Sequence, residues 1–143
     1  MATLRLALFA FAVGFACLPV RADEQSPTQF ACDFSTGYAW SYENGKFKST
    51  PPNDLSFEIG DIDLDKQSAR LILNGKSATG LKIVRALNAN TFLEVVNEGF
   101  LNVTTIYDRD PATGKYPAVH SRHLGLLGQP IFAQYAGICT AKP

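Results

Sequence analysis

The sequence lacks the features that mark most function classes. Its 13 Lys and Arg balance 13 Asp and Glu, so it has no basic excess of the kind that nucleic-acid-binding proteins carry. It has only three cysteines and two histidines, and it has no Gly-x-Ser-x-Gly elbow and no nucleotide-binding or metal-ligand motif. We therefore predict no nucleic-acid partner, no cofactor, no metal site and no recognisable catalytic residue.

Long apolar runs are also scarce, and the one that is present lies at the amino terminus. Residues 6–20 are almost continuously apolar, follow Arg5, and lead through Pro19 to Val20-Arg21-Ala22. This order is typical of a secretory signal peptide, residues 1–22, cleaved after Ala22. The run has 15 residues, fewer than the roughly 20 that span a bilayer as a helix. We therefore predict a periplasmic or secreted protein without stable membrane insertion.

The three cysteines divide between the signal and the mature chain. Cleavage before Cys17, with lipid attachment to it, is the alternative to the cut after Ala22, but the bulky Phe15 fits a lipidation signal poorly. Cys32 and Cys139 remain near the two ends of the mature chain. Export delivers them to an oxidising compartment, and reactive thiol pairs usually sit close in sequence, so we predict a structural disulfide between them.

Two-residue alternation between turn signals dominates the rest of the chain. Residues 23–29 are polar and are predicted to be a flexible lead-in, and residues 30–143 a single β domain. Asn44-Gly45 and Asn74-Gly75 are strong hairpin signals, because both residue types tolerate positive φ. Residues 100–107 are rich in β-branched and aromatic side chains, as in a strand.

This spacing predicts an all-β fold. Strands at intervals of roughly 8 to 12 residues indicate a barrel or a sandwich. Sequential hairpins favour a single antiparallel up-and-down barrel of about eight strands, similar to a lipocalin, with a sandwich as the second choice. Closure removes the exposed edges, and a bridge from Cys32 to Cys139 would join the first strand to the last.

One segment invites an enzymatic interpretation. His120, Ser121 and His123 lie close together, and a hydrolase could combine them with an acid such as Asp108 or Asp110. A zinc site is the other option. On a strand, however, positions three apart face opposite sides of the sheet, so one metal ion could not easily reach both histidines.

Other residues fit a ligand-binding barrel. An inward-facing arginine can bind a carboxylate or phosphate, which makes Arg85 and Arg122 candidates, together with the neighbouring His123. Trp40 is a candidate for the wall of an apolar pocket. The further aromatic residues that could line such a pocket or fill the core are Tyr38, Tyr42, Phe47, Phe57 and Phe92.

The carboxyl-terminal third resembles a set of small exported proteobacterial proteins of unknown function. The resemblance lies in Thr104-Thr105-Ile106, Val119-His120-Ser121-Arg122-His123, Gln134-Tyr135, Gly137 and Cys139. It implies a periplasmic or secreted protein with a paired amino-proximal cysteine, and it implies no activity.

These observations favour binding without catalysis. We predict an exported β-barrel, a monomer, that binds a small apolar or anionic ligand or an envelope protein. The first alternative is a structural or stress-related envelope protein that acts through its outer surface. The second is a hydrolase that uses the segment from His120 to His123. A ligand carrier should have an internal cavity, whereas an interaction protein should have a filled interior and an exposed apolar patch.

Overall fold

A computed structural model of the chain describes residues 26–96, 99–126 and 128–143, and these residues form one antiparallel sheet of nine strands. The strands are β1 (Phe30–Glu43), β2 (Lys46–Thr50), β3 (Leu55–Asp63), β4 (Ser68–Leu73), β5 (Lys76–Ala86), β6 (Ala89–Val96), β7 (Phe100–Tyr107), β8 (Tyr116–Leu126) and β9 (Gln129–Ala141). In these ranges no helix has the length and apolar character needed to cross a membrane.

Eight of these strands close a barrel, and β2 extends it. Each strand from β3 to β9 pairs with the next, and β1 closes the ring by pairing with both β9 and β3. The amino-terminal part of β1 pairs with β3, and its carboxyl-terminal part pairs with β2. Pro51-Pro52 separates β2 from β3, because proline has no N–H to donate to a strand ladder. The predicted lipocalin-like barrel is therefore confirmed, with one additional strand.

The turns define two ends of the barrel. The hairpins β1–β2, β4–β5, β6–β7 and β8–β9 turn at what we call the upper end, and both chain ends of the domain lie at the lower end. The first two of these hairpins turn at Asn44-Gly45 and Asn74-Gly75, and all four residues have positive φ. The left-handed conformation is the reason that asparagine and glycine occupy these positions.

Alternate residues of the barrel strands point inward and form the core. The disulfide between Cys32 and Cys139 lies inside it, and the two residues face each other in register on β1 and β9. Beside it Phe34 stacks on Phe57, with ring centroids 5.4 Å apart. Gly137 of β9 faces Phe34, and a side chain at Gly137 would collide with Phe34 and with the β1 backbone. This packing and the disulfide hold the seam between the first and last strands.

The predicted disulfide is confirmed, and a disulfide fits an oxidising compartment. The predicted signal peptide and Cys17 lie outside the described residues. At the end of the predicted lead-in, the carbonyl of Thr28 accepts a hydrogen bond from the Ile62 amide. The Gln29 side chain donates to Glu58, and its carbonyl accepts from the Lys142 amide.

Candidate functional site

The interior of the barrel is not completely filled. A cavity of about 190 Å³, which we call the lumen cavity, lies between the core and the upper end. Its lining comes from β3 to β8 and consists of Leu55, Phe57, Ile59, Leu71, Leu73, Leu81, Phe92, Glu94, Asn102, Thr104, His120 and Arg122. Ile59 and Phe92 are almost completely buried, whereas Leu73 is 43% exposed. The cavity therefore has a buried floor and a rim that faces solvent.

Most of this wall is aliphatic or aromatic, and the polar groups are confined to one side. Glu94 on β6, Asn102 on β7 and Arg122 on β8 are neighbours across the strands and form a row near the rim. One row deeper, Thr104 pairs with His120 in the same way. Apolar walls with a few converging polar groups are typical of small-molecule sites.

The hydrogen bonds of His120 determine its tautomer. The Nε–H of Arg122 donates to His120 Nε2 over 3.3 Å. Because an arginine nitrogen can only donate, Nε2 must carry the lone pair and Nδ1 must carry the proton. Nδ1 then donates to the Oγ1 atom of Thr104, 2.8 Å away. His120 is therefore a neutral link between a hydroxyl on the floor and a guanidinium at the rim.

The surroundings of His120 hold it in the neutral form. Its ring centroid lies 5.2 Å from that of Phe57, 5.7 Å from that of Phe34 and 5.9 Å from that of Tyr135. Burial lowers the pKa of His120 to about 4, and the positive charge of Arg122 acts in the same direction. The imidazole is thus uncharged at neutral pH.

Arg122 is the only described arginine that lines the lumen cavity. Its Cζ lies 6.0 Å from the centre of the Tyr135 ring, at the outer limit of a cation–π contact. Within the described ranges no carboxylate forms an ion pair with it. The hydrogen bond to His120 uses Nε, so the four N–H donors on the two Nη atoms are not used by this contact. Arg122 thus presents an oriented, unneutralised positive charge at the rim.

The acidic group of the row already has a partner. The Nδ2 atom of Asn102 donates to Glu94 Oε2 over 2.7 Å. Asn102 lies on the strand between Glu94 and Arg122, and adjacent strands are about 4.8 Å apart, so the two charged residues are separated by about 10 Å of sheet.

A second cavity lies beside the lumen at the upper ends of β7, β8 and β9, and its lining includes His123 and Phe132 from the outward-facing positions of β8 and β9. This upper cavity has a volume of about 410 Å³ and shares Asn102 and Arg122 with the lumen cavity. The rest of its lining is mostly apolar: Phe100, His123, Leu124, Ile131, Phe132, Ala133 and Tyr135. Arg122 therefore lies where the two cavities meet.

The structure separates the four residues that the sequence singles out for ligand binding. Arg122 lines both cavities, and His123 lines the upper one. Arg85 follows the inward-facing Leu81 and Ile83 along β5, but it lies at the lower end and is exposed. Trp40 lies on the outer face of the barrel, away from the lumen.

A β-bulge explains the position of Trp40. The register between β1 and β9 shifts between Phe34 and Thr36, so the inward positions change from even to odd numbers. Ala39 then packs against the core, and Trp40 stacks on Phe132 outside it, with ring centroids 4.9 Å apart. The other members of this outer aromatic cluster are Tyr38, Tyr42 and Phe47. Of the aromatic residues predicted to line a pocket, only Phe57 and Phe92 line the lumen cavity.

The residues of the hydrolase alternative do not converge. Ser121 follows His120 on β8 and so faces the opposite side of the sheet. Asp108 and Asp110 lie in the lower β7–β8 loop, where the Asp110 carboxylate accepts hydrogen bonds from Ala112 and Thr113. His120 and His123 are also on opposite faces, as the sequence predicts, with His120 buried and His123 exposed.

Glu94, Asn102 and Thr104 are site residues that the sequence did not single out. Their strand parity was the available signal. Asn102 and Thr104 alternate in step with the buried Ile106, and Glu94 is in step with the buried Phe92. A polar residue at an inward position of a barrel strand is a candidate for the lumen, because successive side chains point to opposite faces.

Comparisons with known proteins identify no relative: no family model, no curated protein and no solved structure matches the chain.

Proposed function

We propose that this protein is an exported, non-catalytic binding protein that holds a small amphipathic molecule in the open upper end of its barrel. The observation that carries the proposal is the lumen cavity, which combines a buried apolar floor with an oriented arginine at its rim. The apolar walls would hold the body of the ligand, and the polar row would orient its head.

Export is part of this proposal. The amino-terminal signal sequence supports a periplasmic or secreted location, with cleavage after Ala22. The disulfide between Cys32 and Cys139 supports an oxidising compartment, since cytosolic thiols are kept reduced.

The geometry of His120 favours binding over hydrolysis. A general base needs a free lone pair aimed at a nucleophile, but Nε2 accepts from Arg122 and Nδ1 donates to Thr104. No described carboxylate hydrogen-bonds to the imidazole to orient it, as the triad of a hydrolase requires. His120 is therefore better suited to positioning Arg122 than to proton transfer.

The unfilled interior also favours a ligand carrier over a protein that acts through its outer surface alone. Such an interaction protein would combine an exposed apolar patch with a filled interior. The outer aromatic cluster provides the patch, with Tyr38 and Phe47 each 55% exposed. The interior, however, is not filled, because it contains the cavity of about 190 Å³.

A titration with the neutral probe 1-octanol tests the proposed site. Backbone amide chemical shifts measured by NMR should change at Leu55, Phe57 and Phe92, which line the lumen cavity. Leu71→Trp should block this binding, because Leu71 lines the cavity and a larger side chain would occupy it. Leu101→Trp is the matched control, since Leu101 is 37% exposed on β7 at a position that alternates with Asn102.

Two results would refute the proposal. The first is the absence of shift changes at saturating octanol. The second is a set of changes confined to the outer aromatic cluster and unaffected by Leu71→Trp.

A further inference from the structure

The charge distribution around the lumen cavity narrows the class of ligand. We infer that the site takes a medium-chain monocarboxylate, with the carboxylate bound by the Nη groups of Arg122 and the alkyl chain in the apolar lumen. This inference rests on the proposed function, and it specifies the head group and the size of the molecule that is bound.

Arg122 is oriented by its neighbours. Its Nε–H donates to His120, and its Cζ lies 6.0 Å from the centre of the Tyr135 ring, so these two contacts favour one orientation of an otherwise exposed side chain. The planar end with the two Nη groups matches the two oxygens of a carboxylate. A fixed donor costs less conformational entropy on binding than a freely moving one.

The charged groups that face the site favour a ligand with a single negative charge. Glu94 is already bound by Asn102, whereas no described carboxylate pairs with Arg122. His120 is neutral in its observed hydrogen bonds and adds no charge. A single positive group with a carboxylate two strands away favours a singly charged anion over a doubly charged phosphate, which Glu94 would repel more strongly.

The volume of the lumen cavity limits the length of the alkyl chain. The lumen cavity of about 190 Å³ corresponds to roughly six groups of the size of a water molecule, which occupies about 30 Å³ in the liquid. A methylene group is of similar size, so about six carbons fit between the rim and Phe92, and the carbons of an octyl chain nearest to its head group would lie at the rim. Longer chains would have to extend into the upper cavity.

Isothermal titration of the mature protein at about pH 7.5, where carboxylates are ionised, separates the contribution of the head group from that of the alkyl chain. The ligands are octanoate, 1-octanol, octylammonium and octyl phosphate, which share one chain and differ in head group. We expect octanoate to bind about tenfold more tightly than octanol, since hydrogen bonds to charged groups contribute more than neutral ones. Octylammonium and octyl phosphate should bind more weakly than octanoate.

Variants then test whether Arg122 causes the preference for octanoate over octanol. Arg122→Gln should reduce the affinity for octanoate about tenfold and the affinity for octanol by much less, so that the preference for octanoate is lost. Arg85→Gln is the matched control, because Arg85 is an exposed arginine of the same barrel at its lower end. Glu94→Gln should strengthen octanoate binding by removing a negative charge near the site.

The outcomes distinguish the inference from the proposed function. If octanol binds in the lumen and octanoate binds no better, the carboxylate assignment is wrong and the binding function stands. Tighter binding of octylammonium, abolished by Glu94→Gln, would instead assign the head group to Glu94 and overturn the inference. If none of the four ligands binds, the proposed function fails as well.

Discussion

Lowering the pH from about 7.5 to about 5 should destabilise the fold through His120. The pKa of this residue is about 4 in the folded protein and about 6.5 in the unfolded chain. The unfolded state therefore takes up a proton first, and stability is lost as the pH falls from about 6.5 to about 4. From these two values, the free energy of unfolding should fall by about 2 kcal/mol at pH 5 and by about 3 kcal/mol at pH 4.

Above about pH 5, the contribution of His120 to the pH dependence of stability is separate from that of the hydrogen-bonded carboxylates. Glu43, Glu58, Asp63 and Asp110 have a pKa below the ordinary values of 4.5 for Glu and 3.8 for Asp, because they accept hydrogen bonds. The donors are lysine side chains for the first three, and the Ala112 amide and the Thr113 hydroxyl for Asp110. The stabilisation that they provide is present above those ordinary values and is lost only as the pH falls below them.

Urea denaturation at the two pH values measures the effect. His120→Gln should remove most of the pH dependence, because an amide can donate to Thr104 and accept from Arg122 but does not titrate in this range. His123→Gln, at an exposed position of the same strand, is the matched control variant. A loss of less than about 0.5 kcal/mol in the wild type, or an equal loss in His120→Gln, would refute the assignment.

Three further predictions concern stability. Reducing the disulfide, which joins residues separated by 107 positions, should lower the free energy of unfolding by up to about 5 kcal/mol in a denaturant titration; a loss below about 1 kcal/mol would contradict the chain-entropy estimate. Gly137→Ala should lower the melting temperature strongly because its Cβ would meet β1, whereas Gly80→Ala has open space and should be nearly neutral. Phe92→Ala should cost about 3 to 5 kcal/mol because Phe92 is only 2% exposed, and an effect no larger than that of Phe47→Ala would show that the core is assigned incorrectly.

The local sequence pattern predicts only in part which strands pair with each other. Alternation identified strands, and Asn44-Gly45 identified a hairpin, but neither specifies the next partner along the edge. In the structure β2 and β3 both pair with β1, so β2 lies outside the closed ring. The break at Pro51-Pro52 is visible in the sequence. The strand that follows it can return to β1 only because β1 is long enough to pair with both β2 and β3.

The side that each strand presents to the interior also depended on tertiary structure. A single bulge between Phe34 and Thr36 reverses the inward parity of β1. This reversal moves Trp40 to the outer surface and brings Ala39 inward. One inserted residue has this effect because the side-chain period of a strand is two.

The sequence by itself determined the all-β class, the hairpin turns at Asn-Gly pairs and the pairing of Cys32 with Cys139. The first two follow from local backbone preferences, and the third from two cysteines that lie too far apart in sequence for a reactive thiol pair. The tertiary structure alone decided that Glu94, Asn102 and Arg122 form one row above a buried His120. That row joins three strands, and its alignment depends on hydrogen-bond register between segments distant in sequence, which no local pattern encodes.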